Sequence, residues 1–155
     1  MNKHKYLPYI VSIGIALIVG GLGSLAVRAG MPAFEMLEQP FFAPPKILFP
    51  IVWNILYVLM GISAVRVWRS HSRDRAPALV IYATQLGMNL LWNVWFFLLQ
   101  FRLFAFFWLV GLAVVVAVMI RVFYRIDKPA GLLQIPYLIW LVFAAVLNLS
   151  IWLLN

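Results

Sequence analysis

Aromatic rings and carboxamides recur in this sequence at helical spacing, and they are the side chains best placed to do chemistry. Gln85, Asn89, Trp92 and Phe96 follow i, i+4, i+7, i+11 and would share one face of a helix. Tyr137, Trp140, Ala144 and Asn148 follow i, i+3, i+7, i+11, and Trp53, Tyr57 and Gly61 are spaced by four with Asn54 alongside. Rings beside a few amides suit a flat, largely apolar ligand. The same pattern also suits interhelical hydrogen bonds with aromatic packing between them. Spacing alone leaves both readings open.

A second stretch, from Arg28 to Lys46, contains Phe34, Leu37, Phe41 and Phe42 among Pro40, Pro44 and Pro45. The prolines restrict backbone angles and favour a stiff, extended course. The four apolar residues then form an underside, either a lid resting on helix ends or an interfacial connection with aromatics at headgroup level. Other chemistries find no residues. There is no cysteine, and the only histidines are His4 and His71, both flanking apolar runs, so neither a metal site nor a buried haem ligand is expected. Nor does any nucleophile–base pair suggest itself, and no obligatory cofactor is expected.

The elements that must position these residues follow from composition. Of 155 residues, 66% are hydrophobic and 10% charged, with a mean hydropathy of +1.01. A soluble domain is about half apolar and about a quarter charged, so the solvent of this chain is mostly lipid. Five apolar runs, about 7–27, 47–68, 78–100, 103–124 and 131–154, are each long enough to cross a bilayer. They nearly exhaust the chain, which predicts a single-domain (1–155), all-α integral membrane protein: a five-transmembrane-helix bundle with one long loop over 28–46. Lys3 and Lys5 before the first run resemble a signal peptide, but the length of the run favours an uncleaved span. Ala16, Gly20 and Ser24 on that run form a ridge of small residues that lets helices approach closely. Residues Val122 to Lys128 fit a proposed cholesterol pattern of the kind that recurs by chance. No internal repeat is visible.

The net charge of +8 would suggest nucleic acid in a soluble protein. Here the cations sit at helix ends, where lipid headgroups and insertion explain them, so membrane lipid is the expected partner and nucleic acid is not. Lys3, Lys5, Arg66, Arg69, Arg73, Arg75, Arg121, Arg125 and Lys128 fall on one side, against Arg28, Lys46 and Arg102 on the other. Nine against three predicts the N-terminus inside, the C-terminus outside and the 28–46 loop outside, in what reads as a bacterial cell membrane.

Together these residues resemble the TspO/MBR family, which includes the tryptophan-rich sensory proteins and the translocator proteins known as peripheral benzodiazepine receptors. The resemblance rests on Leu37-Glu38-Gln39-Pro40 with Pro44-Pro45, and on Phe49-Pro50-Ile51-Val52-Trp53-Asn54-Ile55-Leu56-Tyr57. It continues through Gln85-Leu86-Gly87-Met88-Asn89-Leu90-Leu91-Trp92 with Phe96-Phe97, then Ile135-Pro136-Tyr137-Leu138-Ile139-Trp140 with Phe143-Ala144 and Leu147-Asn148. It implies a five-helix bundle, commonly a homodimer, with a pocket beneath the first loop that takes porphyrins and benzodiazepine-site drugs, sterol binding also being reported. By position, Trp53 and Trp140 match the two pocket tryptophans linked to light-dependent porphyrin degradation. Asn89, Ala144 and Asn148 match pocket-lining positions, and Phe34 matches one usually held by Tyr. The loop departs from the family pattern at Ala33, Phe34, Gln39 and Phe42, where Trp, Tyr, Lys and Trp are common.

The resulting expectation is a membrane sensor that sequesters a porphyrin (protoporphyrin IX or haem-like) in tetrapyrrole or stress responses. Phe34, Trp53, Tyr57, Asn89, Trp92, Phe96, Tyr137, Trp140, Ala144 and Asn148 are the expected ligand contacts, with Arg28 and Lys46 meeting propionates at the mouth. Two alternatives stand beside it: a light-dependent porphyrin-degrading enzyme using Trp53 and Trp140, and a transporter of porphyrins or sterol-like ligands.

Overall fold

A computed structural model describes residues 3–155, which are helical nearly throughout. The elements are α1 (Lys3–Glu35), α2 (Leu48–Arg69), α3 (Arg75–Asn93), α4 (Arg102–Ile126), a short α5 (Lys128–Leu132) and α6 (Ile135–Leu154). A π turn, Val94–Leu98, extends α3. With α5 and α6 counted as one rod, five helical rods form the bundle.

α1 differs from expectation at both ends. It begins at Lys3, placing Pro8 inside it, and it runs past Val27 to Glu35. Arg28, Met31 and Phe34 are therefore helical, and the connection shrinks to 36–47. Pro32 lacks only the N–H that would reach the Arg28 carbonyl, and so close to the end the helix survives that loss. Turn-like bonds, from Met36 N to Ala33 O and from Leu37 N to Phe34 O, close it off.

Apolar composition dictates the spans. α1, α2, α4 and the 128–154 rod are long and apolar enough to cross a membrane. α3 with its π turn is comparably long but diluted by Gln85, Asn89 and Asn93, which it turns inward among α1, α2 and α4. Large apolar residues such as Ile18, Ile55, Val114 and Ile139 stand exposed on the outside of the bundle, as lipid requires.

Polar detail ties the two ends. At the end away from the 36–47 connection, Arg66 Nε donates to Asp127 Oδ2 at 2.6 Å, and Asp127 also accepts from Ala130 N to cap α5. Ser63 Oγ donates to the Ala130 carbonyl at 2.6 Å. At the connection end, hereafter the loop end, Asn155 both donates to and accepts from the backbone of Glu38 at 3.1 Å. The turn between α3 and α4 needs a left-handed residue, Gln100 at φ 59°. It follows the π turn, in which Leu99 N reaches back to Val94 O. α1 packs on α2 and α3, and α4 packs on α3 and α6, while the backbones of α2 and α6 stand apart. The space between them is the site.

Candidate functional site

A cavity of about 590 Å³ occupies the loop-end half of the bundle, bounded by α1, α2, the end of α3 and α6. Its size falls in the ordinary range of small-molecule sites. α2 contributes Trp53 and Tyr57 one turn apart, their rings stacked at 5.8 Å and 30°. α6 contributes Trp140, Ala144 and Asn148 at successive turns. Trp140 meets Trp53 edge-on at 6.5 Å and 89°, so the two indoles form a corner between helices that otherwise diverge.

The α3 wall is made of Trp92 and Phe96, stacked at 5.4 Å, with Phe97 and Asn93. Trp92 Nε1 donates to Asn148 Oδ1 at 3.2 Å, and Asn148 Nδ2 donates to the Arg102 carbonyl at 2.9 Å. This relay holds the α3 and α6 walls in register. Phe34, on the last turn of α1, packs its ring 6.0 Å from Phe96 and 5.3 Å from Phe97. The Trp140 indole N–H is buried and has no partner among the described residues, which leaves a hydrogen-bond donor beside the cavity.

Ten of the expected residues come together on this wall: Arg28, Phe34, Lys46, Trp53, Tyr57, Trp92, Phe96, Trp140, Ala144 and Asn148. Asn89 and Tyr137 do not. They lie deeper, where Asn89 Nδ2 donates to the Tyr137 hydroxyl at 3.2 Å and that hydroxyl donates to Gln85 Oε1 at 2.7 Å. Their amides and phenol act between helices. The two mouth cations also differ. Lys46 Nζ pairs with Glu35 at 2.8 Å, whereas among the described residues Arg28 has no carboxylate within ion-pair distance.

The connection disposes its two adjacent phenylalanines differently. Phe42 packs edge-on against Phe143 of α6 at 6.4 Å, while Phe41 stands fully exposed. Sequence reasoning missed most of the α1 wall. Gly20, Gly23 and Ser24 line the cavity, with an added Cβ at Gly20 meeting the Tyr57 ring at 2.5 Å and one at Gly23 meeting Asn93 Nδ2 at 2.7 Å. The signal was present in the small-residue ridge, since small residues thin a wall as readily as they join two helices. A shallower depression of about 380 Å³, between Gln100–Phe104 and Trp152–Asn155, gathers none of the stripe residues.

Comparison with known proteins agrees with this architecture. The profile of the TspO/MBR family matches residues 12–153. The chain is 36% identical to the tryptophan-rich protein TspO of Archaeoglobus fulgidus, over 96% of this chain and 97% of that protein. It is also 36% identical to the tryptophan-rich protein TspO of Chlorobaculum tepidum, over 100% and 99%. To the translocator protein of Ovis aries it is 32% identical, over 94% and 90%.

Proposed function

The chain belongs to the TspO/MBR family of multi-pass integral membrane proteins, and from that premise we propose that it sequesters a porphyrin or similar flat hydrophobic ligand as a membrane sensor. The observation that carries this reading is the Trp53–Trp140 corner, two indoles from different helices on the wall of one largely apolar cavity. A flat conjugated ring gains stacking and edge contacts there with no metal ligation. The free Trp140 N–H offers a donor, and Arg28 offers a charge at the mouth for a carboxylate edge.

Titrations of wild type, Trp53→Phe and Trp140→Phe with protoporphyrin IX and with haem, read by tryptophan quenching and Soret absorbance, test it. Metal-free and iron-bearing rings should bind comparably. Each substitution should weaken both by several-fold, in keeping with the roughly 0.5–1.5 kcal/mol of an aromatic pair. Strong preference for haem, or two variants that titrate like wild type, would refute the stacked site.

The contact between the two indoles also supports a second reading, photo-oxidative porphyrin breakdown. Illumination of the complex in air separates the two. Loss of the Soret band that requires both tryptophans would make the protein an enzyme, and a stable band leaves it a binder.

A further inference from the structure

We infer that the cavity is loaded from within the bilayer, through a lateral opening between α1 and α2, and that its loop end is the closed end. The inference rests on the reading of the cavity as a ligand site. Its geometry comes from which wall residues are exposed. Leu17, Gly21, Ser24 and Arg28 follow i, i+4, i+7, i+11 on α1; all four line the cavity and all four are exposed on the outside of the bundle. Across the seam, Pro50 and Asn54 of α2 do both as well, as does Lys46 just before α2, whose ammonium is held by Glu35. The far wall behaves differently: Trp92, Phe96, Ala144, Leu147 and Asn148 are all buried. The cavity is therefore thin-walled along the α1–α2 seam.

That seam is bounded on both sides. Away from the loop end, α1 and α2 are in backbone contact: an added Cβ on Gly61 would stand 2.6 Å from Ile13 Cα, and Ser12 Oγ donates to the Gly61 carbonyl at 2.9 Å. At the loop end, the Lys46–Glu35 pair and the Asn155–Glu38 clamp tie the connection to α1 and α6. Between these limits the exposed α1 stripe extends roughly 16 Å at the 1.5 Å rise of a helix. Most of it lies in the apolar run of α1, so the opening faces acyl chains.

The rim suits a solute that is mostly apolar with one polar edge. Gly21 presents no side chain, and an added Cβ there would meet nothing within 4 Å. Ser24 already donates to the Gly21 carbonyl at 2.6 Å, so its hydroxyl adds little polarity. Asn54 makes no side-chain hydrogen bond among the described residues although it lies within a span. An amide in that position is costly against lipid, and a ligand edge passing the rim would relieve it. Arg28, at the loop end of the stripe, would hold a trailing carboxylate at headgroup depth.

Because the chain lacks cysteine, one engineered thiol reports the route. Ala144→Cys places it on the buried far wall. The protein in lipid nanodiscs is exposed to N-(1-pyrenyl)maleimide partitioned into the lipid, or to a sulfonated, lipid-insoluble maleimide in the water. The lipid-borne reagent should react and the sulfonated one should not. Adding Gly21→Trp, which plugs the rim, should slow the reaction by about tenfold or more, while Gly21→Ala should leave it unchanged. Glu35→Gln with Asn155→Ala, which removes both ties on the connection, should not accelerate it. If Gly21→Trp does not assemble, Leu17→Trp serves as the plug. Unchanged labelling in the plugged protein, faster labelling once both ties are removed, or labelling by the sulfonated reagent would each overturn the lateral route. No porphyrin takes part, so failure here is separate from failure of the porphyrin titrations.

Discussion

At the scale of single residues, the amides of α3 have divided roles. Asn89 Nδ2 and Gln85 Oε1 both meet the hydroxyl of Tyr137, which is fully buried, and only from Trp92 onward does the same stripe reach the cavity. Tyr137→Phe would keep the ring and strip the shared hydroxyl from both amides. Buried polar groups left without a partner cost about 1–3 kcal/mol, and interhelical hydrogen bonds in membranes fall toward the low end of that range. The variant should therefore unfold at a lower temperature in detergent while binding porphyrin within about twofold of wild type, a difference of a few tenths of a kcal/mol. Unchanged stability with a large loss of affinity would instead place the hydroxyl in the cavity. The stripes were legible in the sequence because a helix's face follows from spacing. Depth along that face does not, and three helices each carry a boundary within their stripe. Tyr57 lines the cavity but Gly61 does not; Trp92 does but Asn89 does not; Trp140 does but Tyr137 does not.

At the scale of elements, four spans were legible as apolar runs of bilayer length and α3 by its length despite its amides, and the misjudged boundary was the end of α1. The first apolar run ends at Val27, yet tertiary packing keeps Gly30 and Pro32 helical. Gly30 lies against the π turn so closely that an added Cβ would overlap the Phe97 carbonyl, a backbone atom that cannot step aside. Gly30 is the contact that lets α1 reach the end of α3. Two glycines on this one helix should therefore respond to alanine in opposite ways. Gly30→Ala should destabilise the fold by about 1–3 kcal/mol, the usual penalty of overpacking. Gly21→Ala, with open space around it, should be neutral or stabilising by up to about 1 kcal/mol through reduced unfolded-state entropy. Thermal unfolding of both in one detergent decides it. Equal melting temperatures would mean that α1 does not approach the π turn as described.

At the scale of the whole molecule, charge is distributed between the two ends far less evenly than shape is. Both ends are tied by polar contacts, but one gathers Lys5, Arg66, Arg69, Arg73, Arg75, Arg121, Arg125 and Lys128, with Arg69 donating to the Lys5 carbonyl and Arg75 to that of Trp68. Asp127 neutralises only Arg66 among them. The loop end has Arg28, Lys46 and Arg102, and Lys46 is already paired with Glu35. Cations near span ends are retained on the cytoplasmic side during insertion, so the Arg69 end should lie inside and the 36–47 connection outside. Single cysteines introduced at Ser72, between α2 and α3, and at Gln39, in the connection, test this in intact cells with a membrane-impermeant thiol reagent. Gln39→Cys should label without lysis and Ser72→Cys only after it. The reverse pattern would turn the molecule over, and it would move the closed end of the cavity, with Arg28 at its rim, to the cytoplasmic leaflet.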